Sequence, residues 1–162
     1  MLKIQLLGRF QVIYQDTPLS SLNSARLQAL LAYLLLHRST PQSRQHLAYL
    51  FWPDSTDSQA RTNLRYTLHQ LRSSLPEAES FLQIDNQTIQ WHPDVNYTLD
   101  VAEFEQALGL ARRTTDPAAA QKAFERALTL YQGALLPDFY ETWVSSERTH
   151  WQQMYINALG DL

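Results

Sequence analysis

The chain has 162 residues, no cysteine and a formal charge of −3, with 44% hydrophobic and 18% charged residues. This is a globular composition that excludes a disulfide framework and a thiolate metal site and points to a reducing cytoplasm. The longest apolar run, Ala29 to Leu36, is too short to span a bilayer, and the alternating start lacks the apolar core of a secretion signal, so no membrane partner is expected.

Leu2, Ile4 and Leu6 alternate with polar residues, and Phe10, Val12 and Tyr14 repeat the pattern after Gly8-Arg9, which predicts two half-buried strands. Gln15 to Pro18 has turn composition, with Leu19 and Leu22 assigned to a short third strand. From Ser24 the period becomes helical: Leu27, Leu30, Leu31, Leu34 and Leu35 share one wide apolar face, with Asn23 or Ser24 as N-cap. Ser43 then caps a second helix, Arg44 to Phe51, whose Leu47, Leu50 and Phe51 point inward before Trp52-Pro53-Asp54 ends it.

The third helix, Thr56 to Leu75, organises the chain. Thr56 and Gln59 have capping-box spacing, and Ala60, Leu64, Leu68, Leu71 and Leu75 recur at the intervals of one buried face. Arg61, Arg65, His69 and Arg72 form a second stripe, with Thr62, Asn63 and Tyr66 between the two and no acidic residue from Arg61 to Arg72. Arginine, asparagine and threonine are the types that reach phosphates and base edges, and a helix fits the major groove of duplex DNA. Taken alone, an amphipathic helix with a cationic wet face is ordinary, so the surroundings must carry the reading.

Phe81 to Asp85 and Thr88 to Trp91 are β-prone runs joined by Asn86-Gln87, a hairpin signal. His92 to Thr98, a polar stretch containing Pro93, marks the expected domain boundary. Beyond it Asp100 and Glu103 resemble a second capping box ahead of Phe104, Ala107, Leu108 and Ala111. Asp116-Pro117 starts another helix with Ala120, Phe124, Ala127, Leu128 and Tyr131 on one face and Gly133 as its C-terminal cap. These two helices are expected to form an antiparallel hairpin. A last pattern, Trp143, Val144, Glu147, Trp151, Tyr155, Ala158 and Leu159, is still amphipathic where the sequence stops, which predicts either a piece of a longer protein or an end that pairs with another subunit.

The charge is unevenly divided. Residues 1–98 carry eight Lys/Arg against seven Asp/Glu, 99–162 carry five against nine, and 24–75 carry six arginines against Asp54 and Asp57. For DNA the local field outweighs the total. No catalytic constellation is expected: Gly8, Gly109, Gly133 and Gly160 are too dispersed for a phosphate loop, the five histidines lack metal-ligand spacing, and no cofactor is called for. Trp52, Trp91, Trp143 and Trp151 lie at or inside apolar patterns and are assigned to packing.

Leu6-Leu7-Gly8-Arg9-Phe10-Gln11-Val12, Ala29 to Leu35, Leu50-Phe51-Trp52-Pro53-Asp54 and Asn63-Leu64-Arg65 ending in Leu71-Arg72 resemble the OmpR-type winged helix of the antibiotic-regulatory-protein class of bacterial activators. Leu99-Asp100-Val101 through Phe104, Ala127 to Gly133, Leu135-Leu136-Pro137-Asp138 and Trp143-Val144 with Glu147-Arg148 resemble the bacterial transcriptional activation domain that follows it in that class. The resemblance implies an α+β winged helix (N-terminal sheet, three helices, C-terminal hairpin) over 1–95 and an all-α tetratricopeptide-like domain, here incomplete, over 96–162. It implies a transcriptional regulator, an activator, that binds double-stranded DNA at direct repeats, with the helical half serving dimerisation or RNA polymerase. Arg61, Thr62, Asn63 and Arg65 are then expected at the groove, and Arg44, Tyr66, His69 and Arg72 at phosphates. Two positions depart from the class: Ser73 follows Arg72 where a second basic residue is usual, and the hairpin tip Asn86-Gln87-Thr88 carries no charge. The rival reading is a protein-interaction scaffold whose arginine stripe pairs with an acidic partner.

Overall fold

The computed structural model describes residues 1–92 and 94–162, so the Pro93 of the expected boundary lies outside the described residues. In chain order the elements are β1 (Leu2–Gln5), β2 (Gln11–Tyr14), β3 (Thr17–Pro18), α1 (Ala25–Leu36), β4 (Gln42–Ser43), α2 (Arg44–Phe51), α3 (Asp57–Ser74), α4 (Ala78–Phe81), β5 (Leu82–Ile84), β6 (Thr88–Trp91), β7 (Tyr97–Leu99), α5 (Asp100–Arg113), α6 (Pro117–Leu130) and α7 (Thr142–Asp161). They divide into two compact units, one of Met1–Leu19 with Asn96–Leu162 and one of Ser20–Val95.

The first unit holds a four-stranded sheet in the order β3-β2-β1-β7. β1 runs antiparallel to β2, from Leu2 opposite Tyr14 to Gln5 opposite Gln11, and parallel to β7, with Leu2 opposite Tyr97 and Ile4 opposite Leu99. Gln15 and Asp16, at φ 48° and 67°, make the tight β2–β3 turn, so the third strand falls at Thr17–Pro18 rather than at Leu19 and Leu22. Strands β1 to β3 cluster with the residues after Val95 because β7 pairs with β1.

Asp100 does not complete a capping box. Its carboxylate accepts the N–H groups of Leu6 (3.0 Å), Leu7 (2.8 Å) and Val101 (2.8 Å), tying the start of α5 to the end of β1. α6 begins as expected, with Asp116 accepting from the Ala118 N–H and Pro117 at the first helical position. The Arg126–Glu103 pair at 3.0 Å, joining the late part of α6 to the start of α5, matches an antiparallel hairpin. Gly133 is not the cap of α6, which closes at Tyr131. A Cβ on Gly133 would stand 3.0 Å from the Gly8 Cα, and Gly8 itself takes φ +89°, so the two glycines let the β1–β2 turn and the segment after α6 touch. Along α7, Val144, Trp151 and Ala158 are buried while Leu159 and Ile156 are about half exposed, at 47% and 48%.

The second unit is built on α1, whose Leu27, Leu30, Leu31, Leu34 and Leu35 are buried as the period predicts, with Ser24 as the N-cap. Each such leucine contributes roughly 1.5–3 kcal/mol relative to exposure. α2 buries Leu47, Ala48 and Phe51, leaving Leu50 half-buried. α3 buries Ala60, Leu64, Thr67, Leu68 and Leu71. The turn of α4, absent from the periodicity, follows Pro76 through Glu77 at φ 55°. The hairpin β5–β6 is joined by β4 in a sheet of order β4-β6-β5, and the fully buried Trp91 stacks on Phe81 at 5.2 Å to seat the hairpin on its base.

Candidate nucleic-acid interface

The α3 helix is started by Thr56, whose hydroxyl accepts the Gln59 N–H at 3.1 Å. The reciprocal half of the capping box is absent, because the Gln59 amide instead donates to Asn63 Oδ1 at 2.8 Å. At about 100° per residue, Arg61, Arg72, Arg65 and His69 fall in one continuous stripe on the flank beyond Leu64 and Leu68. All four are exposed.

On that flank lies a cleft of about 840 Å³, walled by the N-terminal turn of α2, by α3 and by the tip of the β5–β6 hairpin. Arg44, Arg61 and Arg65 line it together with Leu64, Asn86 and Gln87, and its lining contains no carboxylate. The nearby acid is spent on the hairpin. Asp85 accepts the N–H groups of Gln87 and Thr88, both at 2.7 Å, and these bonds hold its carboxyl below the usual carboxylate range, with Arg44 adding a smaller electrostatic contribution. Arg44 fixes the tip from the other side. Its N–H donates to the Gln87 carbonyl at 2.8 Å and its guanidinium to the Asp85 carbonyl at 2.8 Å. It therefore sets where the hairpin tip stands as well as bringing charge to the cleft.

The remaining expected residues are arranged differently from the single surface read in the sequence. Thr62 is exposed, but its hydroxyl donates back to the Ser58 carbonyl at 3.0 Å. Asn63 is half-buried and stands about 160° around the axis from Arg65, on the opposite flank. Tyr66 shares that flank, is 64% exposed and accepts from Gln70 at 3.4 Å. The structure thus gathers Arg44, Arg61 and Arg65 in the cleft, extends the cationic track through His69 and Arg72, and leaves Asn63 and Tyr66 on an uncharged flank with Gln59 and Gln70. Asn86 and Gln87, read in the sequence only as an uncharged hairpin tip, line the cleft, and Gln59, read only as part of a helix cap, is bonded to Asn63. The four-residue spacing of Gln59 and Asn63 is the signal that could have found that bond. Trp52, expected in packing, is half-buried under the guanidinium of Arg26 at 5.1 Å.

No helix of the described residues is long and apolar enough to cross a membrane. No curated protein matches the chain. Its fold is shared with the solved structure of Mycobacterium tuberculosis EmbR in complex with a low affinity phosphopeptide, at 23% identity and a TM-score of 0.78, over 97% of this chain and 43% of that one. The chain thus spans less than half the length of that relative. Residues 99–162 match the model of the bacterial transcriptional activator domain. That segment is the one containing α5, α6, α7 and the Asp100 tie. The family match thus covers the helical part of the chain, and the shared fold extends over nearly all of it.

Proposed function

We propose that the chain is a sequence-specific regulator of bacterial transcription, acting in the cytoplasm, whose winged-helix domain over 1–95 binds duplex DNA through α3 and the β5–β6 wing. The observation that carries the reading is the cleft with three arginines and no carboxylate between the start of α2, α3 and the wing tip. A groove wall of phosphates is the ligand that such a surface fits, because charge-assisted hydrogen bonds from arginine to phosphate oxygens position a protein on the duplex. In this reading α3 lies in the major groove with Thr62 and Asn63 toward the bases, Arg44, Arg61, Arg65 and Arg72 are the cations at the phosphates of the groove wall, and Tyr66 and His69 stand beside them. The α5–α6 hairpin and α7 form the tetratricopeptide-like half, whose role is dimerisation on direct repeats or contact with RNA polymerase.

Fluorescence anisotropy of the chain on a mixed-sequence duplex, at several salt concentrations, tests this. Four phosphate-contacting cations predict a slope of about −3.6 in log affinity against log salt, and an Arg61→Ala/Arg65→Ala variant should flatten it by about 1.8. A well-folded chain that binds no duplex at low salt, or a variant with the wild-type slope, would show that the cleft is not the reading surface.

A further inference from the structure

The proposed DNA-binding reading leaves open which side chains of α3 read bases, and the hydrogen-bond inventory of the helix narrows the choice. Three hydroxyls of α3 are turned onto its own backbone: Thr62 donates to the Ser58 carbonyl, the buried Thr67 to that of Asn63 and Ser73 to that of His69. The arginines occupy the flank shared with Arg44 and the hairpin tip, where the cleft suits phosphates. The opposite flank carries two carboxamides joined to each other, Gln59 Nε2 donating to Asn63 Oδ1 at 2.8 Å. Each retains one unspent polar group, the Gln59 carbonyl oxygen and the Asn63 NH2. If both amides are turned over, the pair is still joined and the unspent groups become the Gln59 NH2 and the Asn63 oxygen. In either arrangement the pair presents one donor and one acceptor, held by the internal hydrogen bond.

That pattern has one complement on a major-groove base edge. Adenine offers the N7 acceptor beside the N6 donor, guanine offers two acceptors, and the cytosine and thymine edges each offer a single polar group. We infer that the Gln59–Asn63 pair is the specificity-determining element of α3 and reads an adenine, one amide accepting from N6 and the other donating to N7. With α3 in the major groove and its arginine flank set against the phosphates of one wall, the amide flank is the one turned toward the base edges. The internal hydrogen bond lowers the cost of ordering two flexible side chains on binding.

The test selects binding sites from randomised duplexes with the wild type, with Gln59→Ala and with Asn63→Ala. The wild type should select an A·T pair at one fixed position, and each variant should lose about tenfold in discrimination there, within the range for one bidentate contact, with an unchanged salt slope. Placing 7-deazaadenine at that position, which removes N7, should weaken binding by the wild type and leave unaffected the variant that has lost the amide donating to N7. Gln59 is exposed and its backbone N–H, not its side chain, serves the Thr56 cap, so the alanine variant keeps the helix start. Variants that select the same sequence as the wild type would overturn this inference and leave the DNA-binding reading standing. A wild type that binds no duplex would overturn both.

Discussion

Asp100 shows how one side chain can serve a purpose that its own neighbourhood in the sequence does not announce. Half-buried, it accepts N–H groups from Leu6 and Leu7, the first of them 94 residues earlier, so local spacing shows only an acid at the start of a helix. Burial penalises its charge more than the N–H groups of Leu7, Leu6 and Val101 favour it, and its pKa is pushed up from 3.8 to about 6, with Glu103 adding a smaller upward push. A carboxyl raised in the folded state binds its proton more tightly there than in the unfolded chain. Its favourable contribution is therefore complete below about 3.8 and is lost as the pH rises through about 6. The expected outcome is that wild-type stability, measured by urea unfolding, falls relative to Asp100→Asn between those limits, by about 3 kcal/mol at most. The variant itself starts lower at acid pH, because the new NH2 can face the backbone donors and leave one unpaired, at roughly 1–3 kcal/mol. Parallel stability curves for the two proteins across that range would show that Asp100 is not the titrating group. The residue scale is also where the candidate site was least legible. Arg61, Arg65, His69 and Arg72 could be placed on one stripe by counting, whereas the turning of Thr62 onto Ser58 and the Gln59–Asn63 bond depend on side-chain geometry that a pattern does not contain.

At the scale of elements, what was legible follows from how far each depends on itself. α1, α2 and α3 lie within a residue or so of where periodicity and caps put them, and α6 starts at the Pro117 that its N-cap signals, because an i to i+4 face and an N-cap are local. β7 was not anticipated, since Tyr97–Leu99 becomes a strand only by pairing with β1. The segment between α6 and α7 is the same kind of case. Its Leu136 takes φ 44°, and three of its carbonyls, those of Leu135, Leu136 and Phe139, accept from the single guanidinium of Arg148. Leu136 in turn donates its N–H to the Leu6 carbonyl at 2.9 Å, and Gly8 donates to Ala134 at 2.9 Å. A flat, five-donor group suits this task and a hydrocarbon does not. Arg148→Met is expected to cost about 2–4 kcal/mol in urea unfolding, since it strips a charged donor from part-buried carbonyls and frees a strained turn. Arg148→Lys, with a point charge in place of the fork, should recover only part of it. A loss below about 0.5 kcal/mol for the methionine variant would mean that water replaces the guanidinium without penalty.

At the scale of the whole chain the charge and the connectivity tell different stories. The −3 total argues mildly against a nucleic-acid partner, and the unit Ser20–Val95 is itself balanced at six arginines against six acids, yet the cleft brings three of those arginines together without a carboxylate. The proposed contact thus rests on a local arrangement that composition cannot report, and the count over 24–75 approached it only because the acids of that unit fall mostly after Leu75. Connectivity is less expected. The strands at residues 1–19 resemble part of a winged helix by motif, but they supply the pairing partner of β7, the donors to Asp100 and the backbone contacts to the segment after α6. Deleting 1–19 should therefore unfold the activator-domain half before the α1–α3 helices. In amide hydrogen exchange, α5 and α6 are expected to lose protection by orders of magnitude in the truncated chain, while α1 and α3 retain theirs. The opposite order, with α3 unprotected and α5–α6 intact, would show that the N-terminal sheet stabilises the DNA-binding half instead, and that the units found by packing are not the units that fold.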